Sequence, residues 1–228
     1  MSVPFDRKTK RILEKIPYFQ GLGEAILQEV ANEIEVRKCE AGRILFLHDD
    51  VGAGLHLVDS GLCKVYYMSP DGREHILYRL TSGDYCNEVS AVDGGPNPAN
   101  FAAIEESTVW VLRPNSMLRL RQRFPMLNDV IIRSLATHAR QLARRVYELT
   151  FLSVTARLAL FLLQQCDEHG RLERRQWPQD EIAAYLGTVR DVISRSFKKL
   201  RGDKLIEMDR RIIQIIDRER LKKYLHFI

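Results

Sequence analysis

The spacing of hydrophobic positions changes twice along the chain. The opening residues read as helical: a short helix over Arg7–Ile16, then Pro17-Tyr18-Phe19 leading into a helical turn at Glu24–Asn32. From about Val36 to Leu112 the pattern becomes alternating or forms short apolar blocks. RILFL, GLHLV, CKVYYM, HILYRL and TVWVL are punctuated by Gly42, Gly61, Gly72 and Gly83. Pro70-Asp71-Gly72, between CKVYYM and EHILYRL, predicts a tight hairpin. Short strands at such spacing predict an antiparallel sandwich or barrel. Helical spacing returns at Pro114: RPNSMLRLRQRF predicts one helix, Pro125 interrupts, and a long helix follows over Leu127–Leu152. Within it Leu135, Leu142 and Leu149 repeat every seven residues, interleaved with Ile132, Ala139 and Val146. That is the seam of a parallel two-helix coiled coil, with a core-facing helix of a monomer as the plainer alternative.

A break near Leu152–Ser153 precedes FLSVTARLALFLLQQ, another helical segment. QWPQDEIAAYLGTVRDVISRSFKKL then predicts two short helices joined at Gly187, over Gln179–Leu186 and from about Val189 to Arg201. In the first, Ile182, Ala183 and Leu186 turn inward. In the second, Ile193, Phe197 and Leu200 share one side, while Arg190, Asp191, Ser194, Arg195 and Lys198 share the other. A buried apolar edge opposite such a polar edge suits a helix lying in the DNA major groove. Guanidinium forks address guanine, a carboxylate accepts from cytosine N4, and Lys meets phosphate. The plainer reading is a helical hairpin with a solvated basic face. LIEMDRRIIQIID predicts a short hairpin, and Asp217 is placed to cap a final helix, RERLKKYL.

TVRDVISRSFKKLRGDKLI, following DEIAAYLG, resembles the helix-turn-helix of the Crp/Fnr family of bacterial transcription regulators, and the resemblance extends over nearly the whole chain. The family's reading core falls on Arg190-Asp191-Val192-Ile193-Ser194-Arg195. Asp191 stands where the family usually has Glu, one methylene longer, and Pro178 stands where a Ser or Thr normally caps the first helix. The run from Asp59–Gly61 through Pro70-Asp71-Gly72 to Ser82–Asp84 resembles the cyclic-nucleotide-binding β-roll. The resemblance therefore implies an α+β fold. It would comprise an N-terminal antiparallel β-roll sensor with its helices (residues 1–113), a connector and dimerisation helix (114–152), and a C-terminal winged helix-turn-helix (153–228). It implies a homodimer on a palindromic double-stranded DNA site. Arg190 and Arg195 would read guanine, Asp191 cytosine, and Ser194 a thymine or adenine edge, with Lys198, Lys199 and Arg201 on phosphates. Activation would need contacts to RNA polymerase, which no residue announces.

The family's effector cassette falls on SGDYCNEVSAVDGGPNPANFAAIEEST, which makes Asn87, Glu88, Val89, Pro98, Ala99 and Asn100 the candidate pocket residues. Relatives that bind cyclic AMP carry Gly-Glu and, about ten residues later, Arg-Ser. Here Glu88 matches, but Asn87 replaces the Gly and Pro98-Ala99 replace Arg-Ser. No cation lies between Asp84 and Trp110. An unneutralised phosphate buried beside Glu88 and Asp93 would cost on the order of several kcal/mol. On the long helix, Leu142 and Ala143 replace the Thr-Ser pair that meets adenine in such relatives. The expected effector is thus an unidentified small molecule other than cyclic AMP. The alternatives are a regulator with a closed pocket that needs no ligand, or a ligand-binding module whose winged helix contacts protein.

Charge sharpens the assignment. The net charge of the 228 residues is +5. Residues 1–150 are balanced, with 19 Lys+Arg and 19 Asp+Glu, while residues 151–228 hold 16 against 11. A cationic excess confined to one module predicts a local polyanion contact. Cys39, Cys63, Cys86 and Cys166 are scattered without a CxxC, which argues against a zinc site, a disulfide framework or an iron–sulfur cluster. Cys86, within the cassette, reads as a buried thiol rather than an oxidant sensor. His48, His56, His75, His138, His169 and His226 are dispersed, so haem ligation is the less favoured alternative. No apolar run of eighteen residues exists and MSVPFDRKTKRILEK is charged, so a cytoplasmic protein without a membrane span is expected. No nucleophile elbow, phosphate-binding glycine loop or HExxH is present, and no enzyme is expected.

Overall fold

The computed structural model describes residues 3–225. The chain forms two compact units, one from residues up to 68 with Leu77–Arg140, the other from Ser69–Ile76 with residues from Gln141 onward.

The first unit opens with α1 (Arg7–Lys15) and α2 (Glu24–Asn32). Asp6 caps α1 by accepting the Thr9 N–H at 2.7 Å. Strands β1 (Ile34–Cys39), β2 (Ile44–Phe46), β3 (Leu55–Ser60), β4 (Cys63–Met68), β5 (Glu74–Leu80) and β6 (Tyr85–Cys86) follow. Then come α3 (Glu88–Asp93), β7 (Asn100–Ala103), β8 (Ser107–Leu112), α4 (Pro114–Arg123) and the long α5 (Met126–Phe151). The strands form two four-stranded sheets, ordered β1-β8-β3-β6 and β2-β7-β4-β5. Phe46, Val58, Val65, Phe101 and Val109 fill one apolar cluster of the roll. Leu13, Phe19, Leu27, Leu55, Leu57 and Trp110 fill a second, which packs the helices on the first sheet. β3 and β8 are buried on both faces, so their sequences read as apolar blocks rather than alternating ones. Gly61 turns β3 into β4 at φ +91°, and a Cβ there would lie 2.3 Å from Ser107 Oγ and 2.5 Å from the Glu106 carbonyl. Only glycine fits.

The second unit contains α6 (Val154–Gln165), β9 (Arg171–Glu173), α7 (Gln179–Tyr185), α8 (Arg190–Gly202), β10 (Ile206–Met208), β11 (Ile212–Ile215) and α9 (Arg218–Lys223). Ser153 breaks the chain after α5 and caps α6, accepting the Ala156 N–H at 3.2 Å. Asp217 caps α9 through the Arg220 N–H at 2.8 Å. Phe161 and Trp177 meet edge to face at 4.9 Å, and the core continues through Ile182, Ile193, Phe197, Leu200 and Leu221. The three wing strands are antiparallel in the order β10-β11-β9.

The expected α+β architecture is present, with a β-rich N-terminal part, a long helix and C-terminal helix-turn-helix helices. Five elements lie outside the blocks that the sequence pattern named: β1, in which Glu35, Arg37 and Lys38 interrupt the apolar positions, and β6, β7, α3 and β9, which are too short to show a period. α3 is six residues inside the cassette, and β9 is three residues that pair only with β11. Ile16, expected in the first helix, is its extended C-cap at ψ 123°.

Candidate nucleic-acid interface and effector cassette

Helix α8 has two chemically distinct sides because its sequence places them there. Ile193, Ser196, Phe197 and Leu200 are buried. Arg190, Asp191, Arg195, Lys198, Lys199 and Arg201 are exposed, and Ser194 is half-buried. Gly187 joins α7 to α8 at φ +64°, a left-handed turn that costs a residue with Cβ about 1–2 kcal/mol. Thr188 N–H returns to the Ala183 carbonyl at 2.9 Å and closes that turn. α7 begins at Pro178 without a side-chain cap, and Asp180 and Glu181 occupy its first turn. The Arg190 guanidinium donates across the turn to Asp180 Oδ2 at 3.2 Å. Both partners are exposed, so the pair aims Arg190 more than it stabilises the fold. Arg195, Lys198 and Arg201 have no ion pair or side-chain hydrogen bond among the described residues, and Lys199 lies 5.8 Å from the Tyr224 ring.

The last turns of α5 seat α7. The Arg145 guanidinium stacks 4.5 Å from the Tyr185 ring centre and donates to its hydroxyl. Arg144 and Arg145 both donate to buried Glu148. The hairpin tip that clusters with this unit adds His75, whose Nδ1–H donates to the Ala184 carbonyl at 2.8 Å.

In the cassette, Asn87 adopts φ +66° and its Nδ2 donates to the Gly54 carbonyl at 2.9 Å and to Asn97 Oδ1 at 2.8 Å. Asn100 Nδ2 donates to the Tyr66 carbonyl at 3.1 Å, and its Oδ1 accepts the His48 N–H at 2.9 Å. Both side amides therefore brace the roll. Ala99 is buried, while Val89 and Pro98 are exposed. Glu88 opens α3, and its carboxylate accepts from Nδ1–H of His138 on α5. His138 Nε2 lies 3.3 Å from the Tyr85 hydroxyl, which is 3.2 Å from Ser134 Oγ. Leu142 and Ala143 are exposed on the part of α5 that belongs to the second unit.

On α5 the expected seam is largely uncovered: Ile132 is 62 % exposed, Leu142 49 %, Val146 63 % and Leu149 44 %. Ala139 is exposed as well. Leu135 differs. It is half-buried and packs on the first unit's own core beside Ile131 and Leu127, the residues one and two helical turns before it.

Buried titratable groups give the first unit two opposite pH responses. The hydrogen bond to Glu88 holds the His138 pKa above its usual value, against the effect of burial. Its stabilisation is complete below about pH 6.5, the unfolded value, and fades as pH rises through the raised folded value. Burial pushes His56 down to about 4, and its neutral ring donates from Nδ1 to the Gly54 carbonyl. Below about pH 6.5 the unfolded chain takes up that proton first, so stability falls toward acid. We expect the first unit's urea midpoint to decline on both sides of neutrality. His138→Gln should flatten only the alkaline arm, and an alkaline decline that survives that substitution would exclude the pair as its source.

Cys39, Cys63 and Cys86 are buried free thiols, and burial, with Glu88 close by, pushes Cys86 well up, away from the reactive thiolate. Among the described residues no three His, Cys, Asp or Glu side chains are grouped to hold a metal ion, and no helix is long and apolar enough to cross a membrane. His226 lies outside the described residues.

Three pairings were not legible in sequence. Glu88 and His138 are fifty residues apart, and no local signal joins them. Asp180 precedes Arg190 by ten residues across a predicted turn, a pairing that helix geometry would have allowed. The Arg174-Arg175 and Arg210-Arg211 pairs were visible within the C-terminal charge excess, and the β9–β11 register brings them together.

Residues 36–124 match the cyclic nucleotide-binding domain and residues 156–224 match the Crp-like helix-turn-helix domain. A "CRP-like cAMP-activated global transcriptional regulator" of Mycobacterium tuberculosis is 24 % identical over 93 % of this chain and 97 % of its own length. The "Cyclic AMP receptor protein" of Thermus thermophilus is 27 % identical over 84 % of this chain and 88 % of its own. A crystal structure of a Crp/Fnr-family regulator from Eubacterium rectale superposes with a TM-score of 0.71, at 23 % identity over 92 % of this chain and 98 % of that one.

Proposed function

Because the chain belongs to the Crp/Fnr family of transcription regulators, we propose that it acts as a homodimer whose two α8 helices read the half-sites of a palindromic DNA site. On this reading residues 1–113 form a sensor, 114–152 the connector and dimer helix, and 153–228 the reading domain. The observation that carries it is the edge formed by exposed Arg190, Asp191 and Arg195 with half-buried Ser194, above a fully buried Ile193–Phe197–Leu200 edge. Arg190 and Arg195 address guanine, Asp191 cytosine N4 and Ser194 a thymine or adenine edge. Lys198, Lys199 and Arg201 meet phosphates. Selection of random duplexes by the purified protein tests this directly. One palindrome should emerge, with affinity that falls steeply as salt rises. Arg195→Ala should cost about 1–3 kcal/mol on that site and relax one base position. A uniform loss over all sequences would instead make Arg195 a phosphate contact. Salt-insensitive or absent duplex binding would leave only a protein-contacting module.

The sensor's signal is a small molecule other than cyclic AMP, or no ligand at all. Support comes from Pro98-Ala99 in place of an anion-binding pair, from Asn87 and Asn100 spent on bracing the roll, and from Glu88 engaged by His138. Calorimetric titration with cyclic AMP should show no binding in the micromolar range. A ligand that does act would shift the population of dimers whose reading helices match half-sites one DNA turn apart.

A further inference from the structure

Beside the reading helix the wing carries a second concentration of positive charge. Arg174, Arg175, Arg210 and Arg211 line a groove of about 620 Å³ together with Trp177, and Glu173 is its one carboxylate. The backbone that presents these side chains is fixed. Asp209 Oδ1 accepts the N–H groups of Arg211 and Ile212 at 2.6 and 2.7 Å, which closes the β10–β11 turn. Arg174 N–H donates to the Arg211 carbonyl at 2.8 Å, and its guanidinium donates to the Asp209 carbonyl at 2.6 Å. The guanidinium groups of Arg175, Arg210 and Arg211, by contrast, have no ion pair or side-chain hydrogen bond among the described residues. A rigid hairpin tip thus projects two adjacent arginines with unused donors, backed by a second pair. Like charges gathered this way repel one another, and a polyanion relieves the repulsion. The wing also flanks α8, since Arg201 near the end of that helix and Asp209 of the turn line one common cleft.

We propose that Arg210 and Arg211 enter the minor groove of the DNA flanking each half-site, with Arg174 and Arg175 on the adjoining phosphates, so that the protein favours A·T-rich flanks that it does not read base by base. The inference rests on α8 occupying the major groove. The groove adjoining it along the duplex is then the minor groove, about 6 Å wide, which admits a guanidinium but not a helix. A·T tracts narrow that groove and deepen its negative potential. All four side chains are Arg and none is Lys, which suits this site because a guanidinium is more weakly hydrated than an ammonium and sheds water at lower cost.

The test uses the full-length protein and duplexes that share the selected palindrome but carry either A-tract or G·C flanks, at physiological salt. Wild type should favour A-tract flanks by about tenfold. Arg210→Ala/Arg211→Ala should remove that preference while still discriminating the palindrome from a scrambled core, and Arg210→Lys/Arg211→Lys should also lose it. Equal affinity of wild type for both flanks overturns the proposal. So does a preference that survives in the alanine variant, or an equal loss on both flanks, which marks phosphate contact alone. If wild type fails to discriminate the palindrome from the scrambled core, it is the α8 reading that has failed, and the flank proposal falls with it.

Discussion

Glutamate at Leu142 and Val146 should leave a folded monomer that binds the palindrome about 10²–10⁴-fold more weakly than the unaltered protein. The expectation follows from where α5 places its apolar residues. Leu142, Val146 and Leu149 are all exposed to solvent, and they recur with the period of a coiled-coil seam. Neither core uses Leu142 or Val146, so the monomer has nothing to lose from their replacement. Glutamate is also a good helix former at a solvated position. Across a paired seam the same change would bury four carboxylates facing one another beside Leu149, which no dimer tolerates. Each freed monomer would keep one reading helix, and the second half-site would contribute nothing. Sedimentation equilibrium and DNA titration of the double variant measure both consequences. A variant that sediments as a dimer, or that holds the palindrome with unchanged affinity, would remove α5 from the interface.

How much of this was legible in the sequence depends on the range of the interactions. The hairpin at Pro70-Asp71-Gly72, the break near Leu152–Ser153, the cap at Asp217 and the turn at Gly187 are local devices, and each stands where its residues predict. The two faces of α8 were legible for the same reason, because helical period alone separates Phe197 from Arg195. α5 was harder. A seven-residue repeat shows that a face is apolar but not what covers it. Leu135 shares the repeat with Leu142, yet it lies where α5 still packs on the first unit's helices, and its burial is set by that neighbour. The cassette was least legible. The resemblance implies that Pro98-Ala99 stand where relatives carry an anion-binding pair, but the contact that Glu88 makes with His138 joins residues fifty positions apart. Nothing in either local pattern marks it. The wing arginines fall between these cases, since their charge was plain in sequence and their convergence depends on the register Ile212↔Glu173.

Phe197→Ala should abolish binding to every duplex by unfolding the reading domain, whereas Arg195→Ala, two residues away, should leave its stability unchanged. Phe197 is 1 % exposed and sits in the cluster with Ile182, Ile193, Leu200 and Leu221, so it fastens α8 to its own unit. Truncating a fully buried Phe costs about 3–5 kcal/mol in lost transfer energy and unfilled volume. Set against a total of about 5–15 kcal/mol for a typical domain, that removes a large share of the stability. Arg195 is exposed and has no ion pair or side-chain hydrogen bond among the described residues, so its removal touches only what the helix reads. Phe197→Leu separates packing from a specific need for an aromatic ring. It should restore most of the stability and, with it, binding at the original site. Urea unfolding followed by far-ultraviolet circular dichroism, paired with DNA titration of all three variants, reads both quantities. If Phe197→Ala kept its unfolding midpoint yet lost DNA, Phe197 would belong to the reading surface, and the division of α8 into a packed and a reading face would be wrong.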